Sequence, residues 1–274
     1  MKGIDVSTYQ GYPDWKKVKA SGVDFAIVKA GQGRAESSNS YLFQDSKFVY
    51  NITNATSVGI PCGTYYYFTA RTEQEAEREA QHFIEIMRPY KNLITLYAAI
   101  DVESKYLKGL LPAQLSRLVE IFCFEIKKAG YMPIVYTNPD WLRNRLDGIN
   151  NRPLWLALWR DKNNVPSGYG DMKIWQWGES NISGIIGKVD TNFGYFDASN
   201  SLAAPMAPVS ADRKIKMGDK VRVENPINYD TGKPFKLYYD AYDVIQAPVN
   251  GKRIVIGIGK TITAAVHIDY LEIV

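Results

Sequence analysis

The chain has 274 residues and a formal net charge of +4, with no long run of lysine or arginine, so nucleic acid is not an expected ligand. Its two histidines, His82 and His267, are too few for a zinc cluster or a histidine-based catalytic triad. No apolar segment is long enough for a signal peptide or a membrane span. Any hydrolytic chemistry must therefore depend on carboxyl groups, and no metal or organic cofactor is expected.

Residues 1–198 alternate strand and helix patterns. Apolar runs predict eight strands, near residues 3–6, 24–30, 62–68, 94–103, 132–137, 153–159, 173–177 and 185–191. Amphipathic spacing predicts five helices, near residues 14–21, 42–57, 72–87, 112–130 and 139–146. The last two connections between strands are too short and polar for helices. This α/β pattern favours a modified TIM-like barrel over an open sheet, because no glycine-rich phosphate loop is present.

The remainder of the chain has a different composition. Residues 199–212 contain serine, alanine and two prolines without periodicity, which predicts a linker. Residues 213–274 show short strands near 220–223, 253–257 and 270–274, separated by turn residues. The sequence therefore predicts a second, small all-β barrel.

Two carboxyl groups lie at the end of the fourth predicted strand, at Asp101 and Glu103. Alternate strand residues share a face, so these two side chains should point the same way, about 6.5–7 Å apart along the backbone. Burial and mutual repulsion should raise the pKa of at least one of them. A proton donor beside an ionised carboxylate is what cleavage of a glycosidic bond requires. A strand end exposed to solvent, where acids are common, would show the same Asp-x-Glu sequence.

A closed barrel would bring two further acids to the same place. Asp5 ends the first predicted strand and Asp190 ends the last, and in a closed barrel these two strands are neighbours. Barrel enzymes carry their active sites at the carboxyl ends of the strands. We therefore expect Asp5, Asp101, Glu103 and Asp190 to converge on one mouth. For Asp5 and Asp190 the alternative is a structural role as strand-end caps.

A set of short motifs in residues 1–198 resembles the glycoside hydrolase family 25 muramidases, which occur in phage endolysins and bacterial autolysins. Each motif is weak alone, but their order and spacing together are specific. The matching segments are Gly3-Ile4-Asp5-Val6-Ser7, Val28-Lys29-Ala30-Gly31, Gly63-Thr64-Tyr65-Tyr66-Tyr67-Phe68, Asp101-Val102-Glu103, Val135-Tyr136-Thr137-Asn138, Leu154-Trp155-Leu156-Ala157, Ile174-Trp175-Gln176-Trp177 and Val189-Asp190.

The resemblance implies a reaction and a set of roles. The family hydrolyses the β-1,4 bond between N-acetylmuramic acid and N-acetylglucosamine in peptidoglycan, with retention of configuration. Glu103 is implied as the general acid/base, with Asp5, Asp101 and Asp190 around it. The i,i+2 spacing agrees with a substrate-assisted route, in which Asp101 orients the acetamido group that attacks the anomeric carbon. Whether the reaction instead passes through a covalent enzyme intermediate is left open.

The resemblance also implies residues that contact the substrate. Tyr65, Tyr136 and Trp155 are candidates for sugar contacts, with Lys29 and Gln176 as further candidates; the alternative for each is packing in the core or at the rim. The chain departs from the family at Tyr66, where many members have histidine. Tyr66 should face opposite to its neighbours, so this change is expected to alter packing or a subsite contact and not to abolish catalysis.

Residues 213–274 resemble the bacterial Src-homology-3-like modules that attach lysins to cell walls. Tyr238, Tyr239 and Tyr242 are candidates for a ligand groove, with core packing as the alternative. The opening Gly218-Asp219-Lys220-Val221 also suits small nucleic-acid-binding barrels, but Asp240 and Asp243 interrupt the basic groove that those need.

The sequence as a whole predicts a phage or prophage lysozyme whose partner is the peptidoglycan of the bacterial wall. Without a signal peptide it is expected to collect in the host cytoplasm and to reach the wall through a membrane pore; export by another route is the alternative. A chitinase-like hydrolase is one rival, although such enzymes usually carry Asp-x-Asp-x-Glu and Ala99 stands at the first acidic position. A non-catalytic wall-binding lectin is the other rival.

Overall fold

The structure is a computed structural model that describes residues 1–34, 41–149, 152–196, 215–223, 226, 228–230, 235–247, 253–259, 261–268 and 271–274. The chain forms two compact units, Met1–Pro205 and Met206–Val274. The predicted linker at residues 199–212 lies outside the described residues, so its boundaries with residues 198 and 213 stay predictions.

The first unit contains a closed barrel. Its strands are β1 (Lys2–Val6), β2 (Phe25–Arg34), β3 (Tyr41–Gln44), β4 (Cys62–Tyr67), β5 (Ile94–Asp101), β6 (Pro133–Thr137), β7 (Leu154–Ala157), β8 (Met172–Asn181) and β9 (Lys188–Gly194). Eight strands form a ring in the order β1-β9-β8-β7-β6-β5-β4-β2, and β2 pairs back with β1. The prediction of an eight-stranded barrel is confirmed.

Five α-helices accompany these strands in the described part of the first unit, as predicted. They are α1 (Trp15–Ala20), α2 (Phe48–Ser57), α3 (Glu73–Met87), α4 (Pro112–Lys128) and α5 (Pro139–Asn144), with short 3-10 turns at Thr8–Gln10, Arg88–Leu93 and Lys105–Leu107. Thr72 caps α3 by accepting a hydrogen bond from the backbone N–H of Glu75. None of the helices in the described residues has the length and apolarity needed to cross a membrane.

The last barrel strand runs in an unexpected direction. The chain reverses between β8 and β9, so β9 is antiparallel to both of its neighbours, β8 and β1. Asp190 therefore lies near the start of β9, and its prediction as the end residue of that strand is wrong. The reversal nevertheless carries Asp190 to the same end of the barrel as Asp5, its register partner on β1.

The predicted helix at residues 42–57 is wrong in its first part. Tyr41–Gln44 is strand β3, which pairs with the end of β2 in an antiparallel hairpin, and α2 begins only at Phe48. The backbone N–H of Asp45 donates to the carbonyl of Ala30, which closes this hairpin against the barrel. Tertiary pairing with β2 thus decides the structure of a segment whose local pattern suited a helix.

Two apolar clusters stabilise the first unit. One fills the barrel interior and consists of Phe25, Ile27, Leu96, Ala99, Ile134, Tyr136, Trp155 and Ile174. The larger one lies between the barrel and its helices and contains the only two cysteines, Cys62 and Cys123, as buried free thiols. The interior cluster lies beneath the mouth of the barrel, so a packed core supports the side chains at that mouth.

The second unit contains a five-stranded antiparallel sheet in the order β13-β12-β11-β10-β14. Its strands are β10 (Lys220–Val223), β11 (Tyr242–Gln246), β12 (Arg253–Ile258), β13 (Thr261–His267) and β14 (Leu271–Ile273). Tyr242 is fully buried in the core of this unit, whereas Tyr238 and Tyr239 are exposed. An all-β unit was predicted; its assignment as Src-homology-3-like stays a prediction.

Candidate active site

A small cleft of about 80 Å³ opens at the barrel mouth where the predicted acids meet. Eight side chains line it: Asp5, Tyr65, Asp101, Glu103, Tyr136, Trp155, Gln176 and Asp190. The structure thus brings together all four predicted acids and four of the five predicted substrate contacts. Lys29 is the exception, because it does not line the cleft.

Asp101 and Glu103 present their carboxyl groups differently. Asp101 is the last residue of β5 and is buried, whereas Glu103 lies two residues beyond the strand and is exposed. The segment between them is fixed, because the N–H of Val102 donates to the carbonyl of Tyr136 and the Thr137 hydroxyl donates to the carbonyl of Val102. No described residue donates a hydrogen bond to Oδ1 of Asp101. One carboxyl is therefore open to solvent and the other is a buried acceptor with an unused oxygen.

Asp5 is held by two amide side chains. Its Oδ2 atom accepts hydrogen bonds from Nδ2 of Asn192 at 2.8 Å and from Nε2 of Gln176 at 3.1 Å. The same Gln176 nitrogen lies 3.5 Å from Oδ2 of Asp190. Both donors come from the last two strands, Gln176 from β8 and Asn192 from the returning strand β9, and they supply the polar groups that Asp5 needs after burial.

The two amides are themselves bonded to aromatic side chains. Oδ1 of Asn192 accepts from the Trp155 indole N–H at 2.8 Å. Oε1 of Gln176 accepts both from the Trp159 indole N–H at 3.0 Å and from the Tyr136 hydroxyl at 3.1 Å. Asp5 therefore lies at the centre of a network in which the amides link it to three aromatic residues.

Burial is the main influence on the acids of the cleft. It raises the pKa of Asp5 to about 7, with a further contribution from the charge of Asp190, while the N–H groups of Asn192 and Gln176 act in the opposite direction. The pKa of Asp101 is also raised well above its usual value, by burial and then by the charge of Glu103. Asp5 and Asp101 therefore keep their protons to a higher pH than exposed carboxyl groups do.

The two acids nearer the surface are shifted in the same direction. The pKa of Glu103 is raised by the surrounding protein atoms and then by the charge of Asp190, although this side chain keeps contact with solvent. The pKa of Asp190 is raised by burial and by the charge of Glu179. The raised pKa favours the protonated form of Glu103, which is the form that a general acid requires.

Among the described residues, Lys29 is the cation whose charge acts on Asp101 and Glu103. Burial lowers the pKa of its ammonium group, while the charges of Asp101, Asp45 and Glu103 oppose that shift. Its Nζ atom donates to Oε1 of Gln32 and lies 5.3 Å from the centre of the Tyr67 ring. Lys29 therefore influences the acids through its charge and is not among the residues that line the cleft.

The predicted aromatic contacts form the floor of the cleft. The ring centres of Tyr136 and Trp155 are 4.6 Å apart, and Tyr65 meets Trp155 edge to face at 6.1 Å. Trp155 is only 2% exposed and Tyr136 8%, so both contribute an edge to the cleft and most of their surface to the core. Their assignment as sugar contacts stays a prediction.

Tyr66 faces away from the cleft, as the alternation of strand β4 predicts. It is fully buried between the barrel and the helices, where its hydroxyl lies 3.0 Å from Nδ1 of His82 and its ring packs on Phe83. The departure from the family motif is therefore a change in packing.

Sequence reasoning missed Asn192 and Trp159. Asn192 lies two residues after Asp190 on β9, so strand alternation alone could have placed it on the same face. Trp159 follows β7 and is 55% exposed, and nothing in its local pattern marks it as a partner of Gln176. Among the described residues, no cluster of histidine, cysteine and acidic side chains has an arrangement that could hold a metal ion.

Replacement of Asp5 by asparagine should stabilise the barrel at neutral pH. The pKa of Asp5 is about 7 in the folded protein against 3.8 when exposed, so its contribution to stability is complete below pH ~4 and is lost as the pH rises to 7. Asparagine keeps an oxygen for both amide donors and carries no charge. We expect Asp5→Asn to raise the free energy of unfolding by about 1–3 kcal/mol at pH 7.5 and by much less at pH 5.

The measurement is urea unfolding followed by tryptophan fluorescence, since all six tryptophans lie in the first unit. Asp147→Asn, at an exposed position, serves as the control and should show no such pH dependence. An equal effect of Asp5→Asn at both pH values would contradict the raised pKa.

The comparisons with known proteins agree with this arrangement. The sequence model "Glycosyl hydrolases family 25" matches residues 4–185. Lysozyme M1 from Streptomyces globisporus is 28% identical over 204 residues, which cover 70% of this chain and 67% of that protein. The autolytic lysozyme of Clostridium acetobutylicum is 29% identical over 192 residues, or 69% of this chain and 54% of that protein. The chain thus matches about half the length of this second relative.

Solved structures show the same likeness. A bacterial lysozyme from Streptomyces coelicolor superposes with a TM-score of 0.61 at 27% identity, covering 74% of this chain and 95% of that one. The modular autolysin LytC from Streptococcus pneumoniae, solved in complex with a synthetic peptidoglycan ligand, gives 0.60 at 27% identity, covering 70% and 46%. The family match spans most of the barrel and includes Asp5, Asp101 and Glu103. The chain therefore belongs to glycosyl hydrolase family 25, and the protein is a glycosidase.

Proposed function

We propose that the protein is a lysozyme that hydrolyses the β-1,4 bond between N-acetylmuramic acid and N-acetylglucosamine in peptidoglycan. The observation that carries this proposal is the pairing, in one cleft, of solvent-exposed Glu103 with buried Asp101. The names of the relatives, which are lysozymes and an autolysin, support the same substrate.

Glu103 is the proposed general acid and base. Its raised pKa favours the protonated form that an acid needs, and its exposed position lets it reach the oxygen between two sugars. Transfer of that proton to the glycosidic oxygen releases the leaving sugar as an alcohol. The resulting carboxylate then takes a proton from water, and the oxygen of that water attacks the anomeric carbon to complete hydrolysis.

Asp101 is proposed to orient the substrate and not to attack it. Its buried Oδ1 has no hydrogen-bond donor among the described residues, so it can accept the N–H of a substrate acetamido group. That contact would direct the acetamido oxygen to the anomeric carbon while Glu103 protonates the leaving oxygen. Both carboxyl groups come from one strand end and approach from one side, which fits a substrate-assisted reaction with retention.

Glu103→Gln should abolish production of new sugar ends. Glutamine keeps the shape of the side chain but cannot donate a proton to the leaving oxygen, so we expect the rate to fall by about 10²–10⁴-fold. Purified peptidoglycan is digested, reduced with borohydride and analysed by mass spectrometry. The wild-type digest should contain fragments that end in reduced muramic acid, and Glu85→Gln, an exposed position on α3, should match the wild type.

Other results would separate the rival functions. Ends in reduced glucosamine would show that the other bond of the polymer is cleaved. Cleavage of chitin oligomers in preference to peptidoglycan would favour the chitinase-like reading, and no new ends from any of the proteins would favour a lectin. A sugar left covalently attached to a carboxyl group by a slow, activated substrate would contradict the substrate-assisted route.

We further propose that the second unit is a Src-homology-3-like module that binds the cell wall. Two adjacent tyrosines support this proposal: Tyr238 is 70% exposed and Tyr239 57%. The buried hydroxyl of Tyr242 accepts hydrogen bonds from the backbone N–H of both, so a fixed backbone presents their rings to solvent. Exposed, rigid tyrosines are typical of sugar and peptide contacts.

Replacement of both exposed tyrosines by alanine should weaken wall binding about tenfold or more, because two stacking surfaces are lost. Binding is measured by co-sedimentation with purified walls in a Glu103→Gln background, where digestion cannot release the protein. Ile262→Ala, which truncates another exposed side chain of the same unit, is the control. Equal binding by the double variant and the control would contradict a role for this tyrosine pair.

The biological role that we propose is that of a phage or prophage endolysin, which collects in the host cytoplasm and reaches the wall through a membrane pore. A bacterial enzyme exported by another route is the alternative. Expression in a susceptible host, with and without a pore-forming protein, should give lysis only when the pore is present. Lysis or release into the medium without the pore would contradict this role.

A further inference from the structure

The orientation of the two amides around Asp5 is fixed by chemistry. An indole N–H can only donate a hydrogen bond. The amide atom that faces the Trp155 nitrogen must therefore be the oxygen of Asn192, and the atom that faces the Trp159 nitrogen must be the oxygen of Gln176. The NH₂ group of each amide therefore points towards Asp5.

Asp5 is constrained in turn. Its Oδ2 atom faces N–H groups from both Asn192 and Gln176, and an oxygen that accepts two such bonds is a poor site for a proton. Protonation of this oxygen would place an O–H group against two N–H donors. The arrangement therefore favours the ionised form of Asp5 against the opposing effect of burial.

Several titratable groups surround the two carboxyls concerned. Three acids face Asp5: Asp190 from β9, and Asp101 and Glu103 from the end of β5. Two tyrosines also face it, Tyr65 from β4 and Tyr136 from β6. Glu103 is faced by Asp190, by Asp101 and by the ammonium group of Lys29 from β2. Both tyrosines stay neutral because burial raises the pKa of their hydroxyls, so the protons of the site are shared among the four acids.

We propose that Trp159, Gln176 and Asn192 are positioning residues that hold Oδ2 of Asp5 as a hydrogen-bond acceptor, so that Asp5 gives up its proton more readily than burial alone would allow and its charge can act on Glu103. The charge of Asp5 then helps to keep Glu103 protonated, because a negative neighbour disfavours a second negative charge. This inference rests on the proposed role of Glu103 as the general acid. Trp159 sets the direction of the Gln176 amide without contacting any of the four carboxyls in the described structure.

Substitution of Trp159 tests the chain of hydrogen bonds from Trp159 through Gln176 to Asp5, which is called the relay below. Trp159 is 55% exposed, so Trp159→Phe removes the donor while it keeps an aromatic ring and leaves the buried core intact. Without the indole N–H, Gln176 faces only the Tyr136 hydroxyl, which can either donate or accept. The amide can then rotate and turn its oxygen to Asp5, and that conformer requires a proton on Asp5.

The expected result is a shift in the pH dependence of kcat. The alkaline limb reports the loss of the proton from Glu103. With Asp5 neutral more of the time, this proton is lost more readily, so the limb should move to lower pH by about 0.5 unit or more. Trp177→Phe, whose ring packs on Phe193 on the same strand pair, is the matched control and should leave the limb unchanged.

A second measurement needs no substrate. Carboxyl-carbon NMR titration of Asp5, assigned with Asp5→Asn, should show a higher apparent pKa in Trp159→Phe than in the wild type. An unchanged titration of Asp5 together with an unchanged alkaline limb would overturn the relay. So would a rise in KM with neither of these shifts, since that result makes Trp159 a substrate contact alone.

The two measurements also separate this inference from the function on which it rests. Failure of the wild-type protein to cleave peptidoglycan would reject the proposed function, and the NMR titration would still decide whether Trp159 sets the charge of Asp5. Cleavage of peptidoglycan with no shift in either measurement would reject the relay and leave the function standing.

Discussion

The structure depends on the burial of negative charge at one end of a packed barrel. Asp5 and Asp101 are only 8% and 5% exposed, and an isolated carboxylate in such a place would be strongly unfavourable. Three effects compensate for it: N–H groups from amides on Asp5, the charge of the Lys29 ammonium group near Asp101, and raised pKa values that favour the neutral carboxyl groups. The first two favour charge and the third removes it, so the balance between them decides which carboxyl acts as an acid.

The reversal of the last strand makes this compensation possible. A fully parallel barrel would place a carboxyl-terminal strand end beside Asp5, followed by a loop. Here β8 and β9 form a hairpin above the mouth, and Asp190 and Asn192 are the third and fifth residues of the returning strand. Both therefore face the cleft from a rigid strand, one as a further acid and one as a donor to Asp5. Rigid elements position functional side chains more accurately than loops do.

The sequence predicted the parts that depend on periodicity. Apolar runs predicted the eight barrel strands. The i,i+2 spacing predicted that Asp101 and Glu103 point the same way, and both line one cleft even though β5 ends at Asp101. What it could not predict depends on tertiary pairing. The helical pattern that began at Leu42 gave way to a hairpin with β2, and the direction of β9 followed from a short connection with no pattern of its own. Asn192 and Trp159 resemble many other polar and aromatic residues until Asp5 and Gln176 are seen beside them.

Hydrogen-bond direction distinguishes the four acids of this cleft more sharply than distance does. An ionised carboxyl group only accepts hydrogen bonds, whereas a protonated one both donates and accepts. A cluster of carboxyl groups therefore does not by itself determine which of its members is ionised. The amides of Gln176 and Asn192 are equally ambiguous by themselves, since either end can face a carboxyl group. The indoles of Trp155 and Trp159 remove that ambiguity because they can only donate. A donor-only group at the edge of the network thus sets the polarity of every bond between it and Asp5. No amide of the described residues donates to Oδ1 of Asp101, so this buried atom can accept a donor from outside the protein.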